Sequence, residues 1–288
     1  MKILVIGGNG FLGFNLIKKL NKKNNKITVL DQKIFKLKTL KNLRIVKGNF
    51  LNKNVLLRVI KNQDYVFHLA GISDLETARE NPMNVIKYNV EGTAKILDLC
   101  NKYKIKRFIY ASSIYAISEE GGFYRFGKRA AEDYIIQYCK ENNLKYSILR
   151  YGSIYGPDSP KSNGLRKIIE KAISKKKVVY YGSNKNKRKY IYIDDATSST
   201  IEVLRSNYKN KIVNLTGKKK VGVSQVLRIT AKMLKINKKI KYLNKKIIGH
   251  YISEPKRLKI RYGKNMYSKN STNLRIGIRK TINYHKQL

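Results

Sequence analysis

The stretch from Lys2 to Asp31 restricts the possible folds of this chain more than any other. Lys2-Ile-Leu-Val-Ile6 is a short apolar run rich in β-branched residues, the pattern of a parallel strand covered on both faces. It passes directly into Gly7-Gly-Asn-Gly-Phe-Leu-Gly13, after which Phe14, Ile17 and Leu20 recur on one helical face. Ile27–Leu30 reads as the next strand and Asp31 closes it. Strand, glycines, helix, strand and acid, in that order, form the context that turns a glycine pattern into a dinucleotide-binding signal.

Each glycine has a physical task in such a seat. Gly7 permits the tight turn, Gly10 lets a phosphate approach the backbone, and Gly13 lets the helix pack close to the strand. Amide groups around Phe11 and Leu12, at the positive end of the helix, face the pyrophosphate. Asp31 is placed to accept hydrogen bonds from the adenosine ribose, and its charge opposes a 2′-phosphate, so the expected cofactor is NAD rather than NADP. The alternative, a βα turn using glycine for packing alone, does not account for the acid at the second strand end.

Helical and strand patterns alternate through the first half, as in a doubly wound parallel sheet of the Rossmann type. Expected strands are Leu43–Val46, Asp64–Ala70, Arg107–Ala111 and Ser147–Arg150, with helices over Val55–Lys61, Pro82–Tyr103 and about Tyr124–Asn142. Beyond Pro157 the pattern loosens: a helix over Leu165–Lys175, strands at Val178–Tyr181 and Lys189–Ile193, and another at Ile212–Leu215. The expected division is a cofactor domain over 1–157 and a small α/β substrate domain over 158–288, with 212–215 returning to the sheet.

Tyr124 and Lys128 fall four apart at a helix start, hence on one face. A nearby ammonium stabilises phenolate and brings a tyrosine toward acid–base duty at neutral pH. Ser113, at the end of the fifth strand, is suited to hydrogen-bond a reacting hydroxyl or carbonyl. Strand ends and helix starts meet at the C-terminal edge of the sheet, where open α/β sheets bind ligands. An exposed helical pair is the competing reading of Tyr124 and Lys128; the position just after the fifth strand favours the catalytic one.

Composition excludes several classes. Lys and Arg number 63 against 18 Asp and Glu, a formal charge of +45. The lysines are scattered rather than gathered into an arm, which fits a compositional bias better than a specific nucleic-acid site. The first apolar run stops at Gly7, too short for a signal-peptide core, and no later stretch approaches a membrane span, so a cytoplasmic protein is expected. Cys100 and Cys139 fall in predicted helices and read as reduced, buried thiols. His68, His250 and His285 are isolated, and no metal site is expected.

Taken together, the motifs Gly7–Gly13 with Asp31, Phe67-His-Leu-Ala-Gly71, Asn89-Val-Glu-Gly-Thr93 and Ser112-Ser113 resemble the extended short-chain dehydrogenase/reductase family. Tyr124-Arg-Phe-Gly-Lys128-Arg-Ala-Ala-Glu132, Leu149-Arg-Tyr-Gly-Ser-Ile-Tyr-Gly-Pro157 and Arg188–Asp195 carry the resemblance further, to the NAD-dependent epimerase/dehydratase group acting on nucleotide sugars. The resemblance implies cofactor contacts at Gly7, Gly10, Phe11, Leu12, Gly13, Asp31, Asn49, Phe50, Leu69, Ala70, Gly71 and Asn89. It implies Tyr124 as catalytic base, Lys128 on the nicotinamide ribose, and Ser113 on the substrate oxygen. It places Ser153 at the substrate and Arg188 on the nucleotide phosphates, a bidentate task suited to guanidinium. A homodimer through the helices Pro82–Tyr103 and Tyr124–Asn142 is also implied, with Ile135, Ile136 and Tyr138 as apolar residues in excess of one core stripe.

Departures from the family pattern fall around the sugar pocket. Asn49 replaces a usual aspartate beside adenine, Ile117 a tyrosine, Gly127 a serine and Ser153 an asparagine. Dehydratases of the family carry acids just after the serine or threonine; here Ile114 and Tyr115 follow Ser113. The expected reaction is therefore C4 epimerisation by hydride transfer to and from bound NAD. A keto-sugar reductase of the same family is the alternative, and a non-catalytic nucleotide-binding protein the outside one.

Overall fold

A computed structural model describes residues 1–22, 24–237, 240–243, 263–269 and 271–287. His250 lies outside the described residues. The first half alternates β1 (Lys2–Ile6), α1 (Phe11–Asn21), β2 (Lys26–Asp31), β3 (Leu43–Lys47), α2 (Lys53–Ile60) and β4 (Tyr65–His68). It continues with α3 (Leu75–Glu80), α4 (Pro82–Val85), α5 (Gly92–Lys102), β5 (Arg107–Ser113), α6 (Gly122–Glu141) and β6 (Tyr146–Tyr151). The second half holds β7 (Ser153–Tyr155), α7 (Gly164–Lys175), β8 (Val179–Tyr180), β9 (Lys187–Arg188), β10 (Tyr190–Tyr192) and α8 (Ile193–Glu202). It ends in β11 (Lys211–Leu215), β12 (Val221–Gly222), α9 (Val223–Met233), β13 (Lys241–Tyr242), β14 (Lys264–Met266) and α10 (Leu274–Lys286).

Eight strands form one sheet in the order β14-β11-β6-β5-β4-β1-β2-β3, and every pairing in it is parallel. The α/β Rossmann-type architecture expected from the sequence is the one observed. In β1, Ile3 and Val5 enter one core layer with Leu16, Ile17 and Leu20 of α1, while Leu4 and Ile6 enter the other with α2, α5 and α6. That is the two-fold alternation of a strand buried on both faces. Strand order reverses between β1 and β4, and the loops after them open at that switch point, where doubly wound sheets take their ligands.

β11 pairs with β6 in register Ile212↔Ile148, and α8 returns to the first half, where Lys19 Nζ on α1 donates to the Asp194 carbonyl at 2.6 Å. β14 extends that sheet beyond β11, and β7, α7, β10, α9 and α10 enclose a separate core of Tyr155, Leu165, Ile169, Tyr192, Val226, Ile278 and Ile282. Three two-stranded pairs, β7 with β10, β9 with β12 and β8 with β13, complete it.

Several boundaries differ from the sequence expectation for local reasons. β5 runs through Ser113 because Ser112 and Ser113 continue the ladder onto Arg150 and Tyr151. The strand expected over Lys189–Ile193 shortens to β10, since Ile193-Asp-Asp begins α8 with acids in its first turn. The helix expected from Pro82 to Tyr103 is interrupted by a π-wound turn over Ile86–Glu91, where the Gly92 amide reaches back five residues to the Lys87 carbonyl. The tail, without clear pattern in the sequence, supplies β14 and α10.

Candidate active site

The glycine turn between β1 and α1 is built as its residues require. Gly7 has φ +88°, and a Cβ there would stand 2.6 Å from the Ala70 nitrogen at the end of β4. A Cβ on Gly13 would stand 2.2 Å from the Gly7 carbonyl oxygen, so only glycine lets α1 start this close to the turn. Gly10 is the N-cap residue of α1 and offers no side-chain cap to the helix amides. Phe11 and Leu12 thus begin a helix whose positive end is open to an anion. At the end of β2, the Asp31 carboxylate accepts from the Asn9 amide at 2.8 Å and the Lys33 amide at 3.0 Å. These bonds fix the acid beside the turn and leave lone pairs for further donors. The residues present therefore fit a dinucleotide.

Across the switch point, β4 is continued by Leu69, whose amide donates to the Ile6 carbonyl at 2.9 Å, then Ala70 and Gly71. Asn89, in the π-wound turn and buried, holds the next residue: its Oδ1 accepts from Ile72 N at 2.7 Å and its Nδ2 donates to Ile72 O at 3.0 Å. Thr93 Oγ1 donates to the Asn89 carbonyl at 2.7 Å and meets His68 Nε2 at 3.1 Å. Burial pulls His68 down to about 3, so this histidine is a neutral core residue. Asn49 turns its Oδ1 to the Leu51 amide at 2.9 Å, and the Phe50 ring packs edge-on against His68 and Tyr88. The side chain of Phe50 belongs to the core.

Ser113, Tyr124 and Lys128 come together at the ends of β5 and the start of α6, all three buried. Burial pushes the Tyr124 phenol above its ordinary value, and its hydrogen bond with Ser113 pulls the other way. The Lys128 ammonium donates to the Ala111 carbonyl at 2.8 Å and lies 4.8 Å above the Tyr110 ring. Burial brings this lysine down to about 8, against the pull of Glu132. The expected direct lowering of the phenol by Lys128 is thus corrected: in the free protein the ammonium is engaged by β5, and desolvation governs the tyrosine.

Ser153 and Arg188 lie on the small strand pairs, in β7 and β9. Ser153 faces Tyr190 in the β7–β10 register and its amide donates to the Lys189 carbonyl at 3.3 Å, which brings it within two residues of Arg188 along the chain. A recess of about 760 Å³ bounded by Tyr192, Thr216, Arg228 and Asn273 holds none of the expected catalytic or cofactor residues, though Tyr155, Tyr190 and Asp195 of the quoted motifs line it.

Sequence reasoning missed four residues around the triad. The Tyr115 ring stands edge-on to Tyr124, centroids 6.0 Å apart, Tyr110 floors Lys128, and Glu132 with Arg150 backs both. Residue spacing gave no signal for the tyrosines; the Glu132 and Arg150 positions were quoted in motifs without a role. Cys100 and Cys139 are buried free thiols. Among the described residues no group of three or more His, Cys, Asp or Glu is placed to hold a metal, and no helix is long and apolar enough to cross a membrane.

Fold and glycine turn together define a dinucleotide-dependent enzyme on a doubly wound sheet, at whose edge Ser113, Tyr124 and Lys128 come together. Residues 3–216 match the NAD dependent epimerase/dehydratase family, and the chain belongs to it. It is 31% identical over 251 residues to a dTDP-D-glucose 4,6-dehydratase of Dictyostelium discoideum, spanning 74% of this chain and 58% of that relative. It is 24% identical over 317 residues to a UDP-glucuronate 4-epimerase of Thermodesulfobacterium geofontis, spanning 99% of this chain and 96% of that one. The UDP-glucuronic acid 4-epimerase of Bacillus cereus, solved with UDP-glucuronic acid and NAD, superposes with a TM-score of 0.88 at 21% identity, covering 100% of this chain and 99% of that one.

Proposed function

We propose that this enzyme is a nucleotide-sugar 4-epimerase, with Ser113, Tyr124 and Lys128 as its catalytic groups and Gly7–Gly13, Asp31, Asn49, Leu69–Gly71 and Asn89 forming or supporting the NAD seat. The observation that carries the reaction type is that, among the described residues, no free carboxylate follows Ser113. Ile114 and Tyr115 occupy the next two positions, and Glu119 and Glu120 are exposed. The buried Glu132 is already engaged by Arg150 and Ser112. Elimination of water needs an acid at the sugar, whereas hydride removal and return needs only the phenol, its serine partner and the ammonium.

NAD, when bound, supplies the hydride acceptor and returns the hydride to the sugar. Tyr124 takes the C4 hydroxyl proton and gives it back after the keto sugar has presented its other face. Ser113 donates to the same oxygen and holds it against the phenol. Lys128, aimed across the end of β5, holds the nicotinamide ribose. Arg188 and Ser153 take the nucleotide and sugar ends, and the positive field of a +45 chain favours such an anionic substrate.

The full-length relative from Thermodesulfobacterium geofontis supports the epimerase reading and a UDP-sugar substrate. A homodimer and a cytoplasmic location form part of the same proposal. The purified enzyme, incubated with UDP-hexoses and UDP-hexuronic acids carrying deuterium at C4, is expected to return the C4 epimer with its label retained. Stoichiometric consumption of NADH with a keto sugar would make the enzyme a reductase instead.

A further inference from the structure

Glu132 sits one helical turn beyond Lys128 on the same face of α6, with 3% of its surface exposed. Arg150 Nε donates to its two carboxylate oxygens at 2.9 and 3.1 Å, and Arg150 Nη2 donates to Oε2 at 2.5 Å. The Ser112 hydroxyl donates to Oε1. Ser112 and Arg150 are direct partners in the β5–β6 register. One carboxylate on α6 therefore ties down two adjacent strand ends, at the very segment Ala111-Ser112-Ser113 that supplies the Lys128 acceptor and the Tyr124 partner.

Fold stability is a poor explanation for this arrangement. A buried ion pair loses much of its attraction to desolvation, and apolar residues of similar volume commonly serve a core as well or better. We propose that Glu132, clamped by Arg150 and Ser112, is a positioning residue for Lys128: it keeps that side chain charged and aimed across the end of β5. The inference rests on the proposed role of Lys128 toward the nicotinamide ribose.

The surroundings of Lys128 show why an acid is needed there. From β5 the Tyr110 ring lies under the ammonium and from β4 the neutral His68 acts on it, while Tyr124 precedes it by one turn of α6 and Arg150 of β6 holds Glu132. Of these groups and Glu132, only Glu132 is negative. Burial already draws Lys128 to about 8, and Glu132 opposes that draw. Without it nothing among these groups would offset the cost of keeping the buried ammonium charged.

The test is the pH dependence of NAD affinity, measured by calorimetry on the full chain, which needs no knowledge of the sugar. A ribose that binds the ammonium form keeps its affinity below the lysine's value in the free protein and loses it as pH rises beyond. Wild-type affinity should hold to about pH 8 and then fall. In Glu132→Gln the fall should begin lower, by about one pH unit, the common effect of deleting a close opposite charge. Because that variant leaves Arg150 buried and unpaired, the double variant Glu132→Gln/Arg150→Met is run beside it, and should shift in the same direction by less. Glu132→Asp should restore the wild-type onset.

Weaker binding at all pH values with an unmoved onset would overturn the proposal, leaving Glu132 a packing element. Failure of both charge-deleting variants to fold would overturn it too, since the acid would then serve the fold. Lys128→Met separates the two readings. If its NAD affinity still falls above pH 8, the role given to Lys128 is wrong whatever Glu132 does.

Discussion

Asn89 grips Ile72 at both ends of one residue, accepting from its amide at 2.7 Å and donating to its carbonyl at 3.0 Å. The carboxamide thereby imitates a neighbouring strand for the loop that leaves β4. Asn89→Leu keeps the volume but leaves the amide and carbonyl of Ile72 without these partners. Chemical denaturation should show a loss of about 2–3 kcal/mol, from two hydrogen bonds removed at a buried site. NAD affinity should fall with it, because Leu69–Gly71 lose their anchor. Unchanged stability would mean that the loop is held elsewhere.

Asp31 should decide the choice of cofactor. Its carboxylate is fixed by the Asn9 and Lys33 amides at the end of β2. NAD is expected to bind more tightly than NADP in the wild type, and Asp31→Asn, which retains an acceptor for one amide, should narrow the gap from both sides. Equal affinities in the wild type would remove this role.

Tyr124→Phe keeps the ring against Tyr115 and Val85 while deleting the phenol oxygen. NAD binding and melting temperature should be retained, and turnover should drop by about 10²–10⁴-fold, the usual worth of a positioned acid–base group. Near-normal turnover would end the assignment of Tyr124 as the base.

His68 gives the stability of the fold a predictable acid limb. Its folded value, about 3, lies below the ordinary 6.5, so the unfolded chain takes up a proton that the folded chain refuses. Stability from this residue is present above pH 6.5 and is lost as pH falls toward 3, at about 1.4 kcal/mol per unit. Subtracting the curve of His68→Leu from that of the wild type isolates the effect. A difference that does not vary between pH 7 and 4 would show that His68 is charged in the fold.

Dimer formation is predicted through other residues than the sequence suggested. Ile135 is fully buried in the core beneath α6, and Ile136 and Tyr138 pack against the same core. Phe123, Phe126 and Tyr134 on α6 are 50%, 58% and 42% exposed, and Met83 and Ile86 are 76% and 50% exposed. Light scattering at micromolar concentration should give a dimer mass, and Phe126→Glu should reduce it to that of a monomer. A wild-type monomer would leave this patch without the role proposed.

Much of this architecture was legible from local pattern. β1, the glycine turn, α1 and β2 follow from residues that neighbour one another in the chain, and Tyr124 with Lys128 needed only a helical period. What escaped depended on distant partners. Ile135 reads as surplus apolar content until α6 is laid on the sheet and turns it inward. Glu132 and Arg150 are eighteen residues apart on different elements, so neither position hints at the other. The strand pairs β8–β13 and β9–β12 are two residues long and present no alternation to detect. The π-wound turn hid for the opposite reason, because the apolar period on either side of it is ordinary.

That turn also sets a rule about length. Over Ile86–Glu91 the chain takes one residue more than a straight α-helix of the same rise would use. The surplus residue is taken up inside the turn, where it aims Asn89 at Ile72 while the two stretches of the helix stay in phase. Ahead of it, Val85 packs with Tyr124 and lies 2.3 Å from where a Cβ on Gly127 would stand. Behind it, Ile96 and Leu97 face the sheet. Deleting one residue of the turn would let it close as ordinary α-helix, with the two flanking stretches keeping their faces. Asn89 would swing off Ile72 while every side chain of the site was still present. Here the chain tolerates changes of letter, at exposed Lys87 for instance, far better than changes of count.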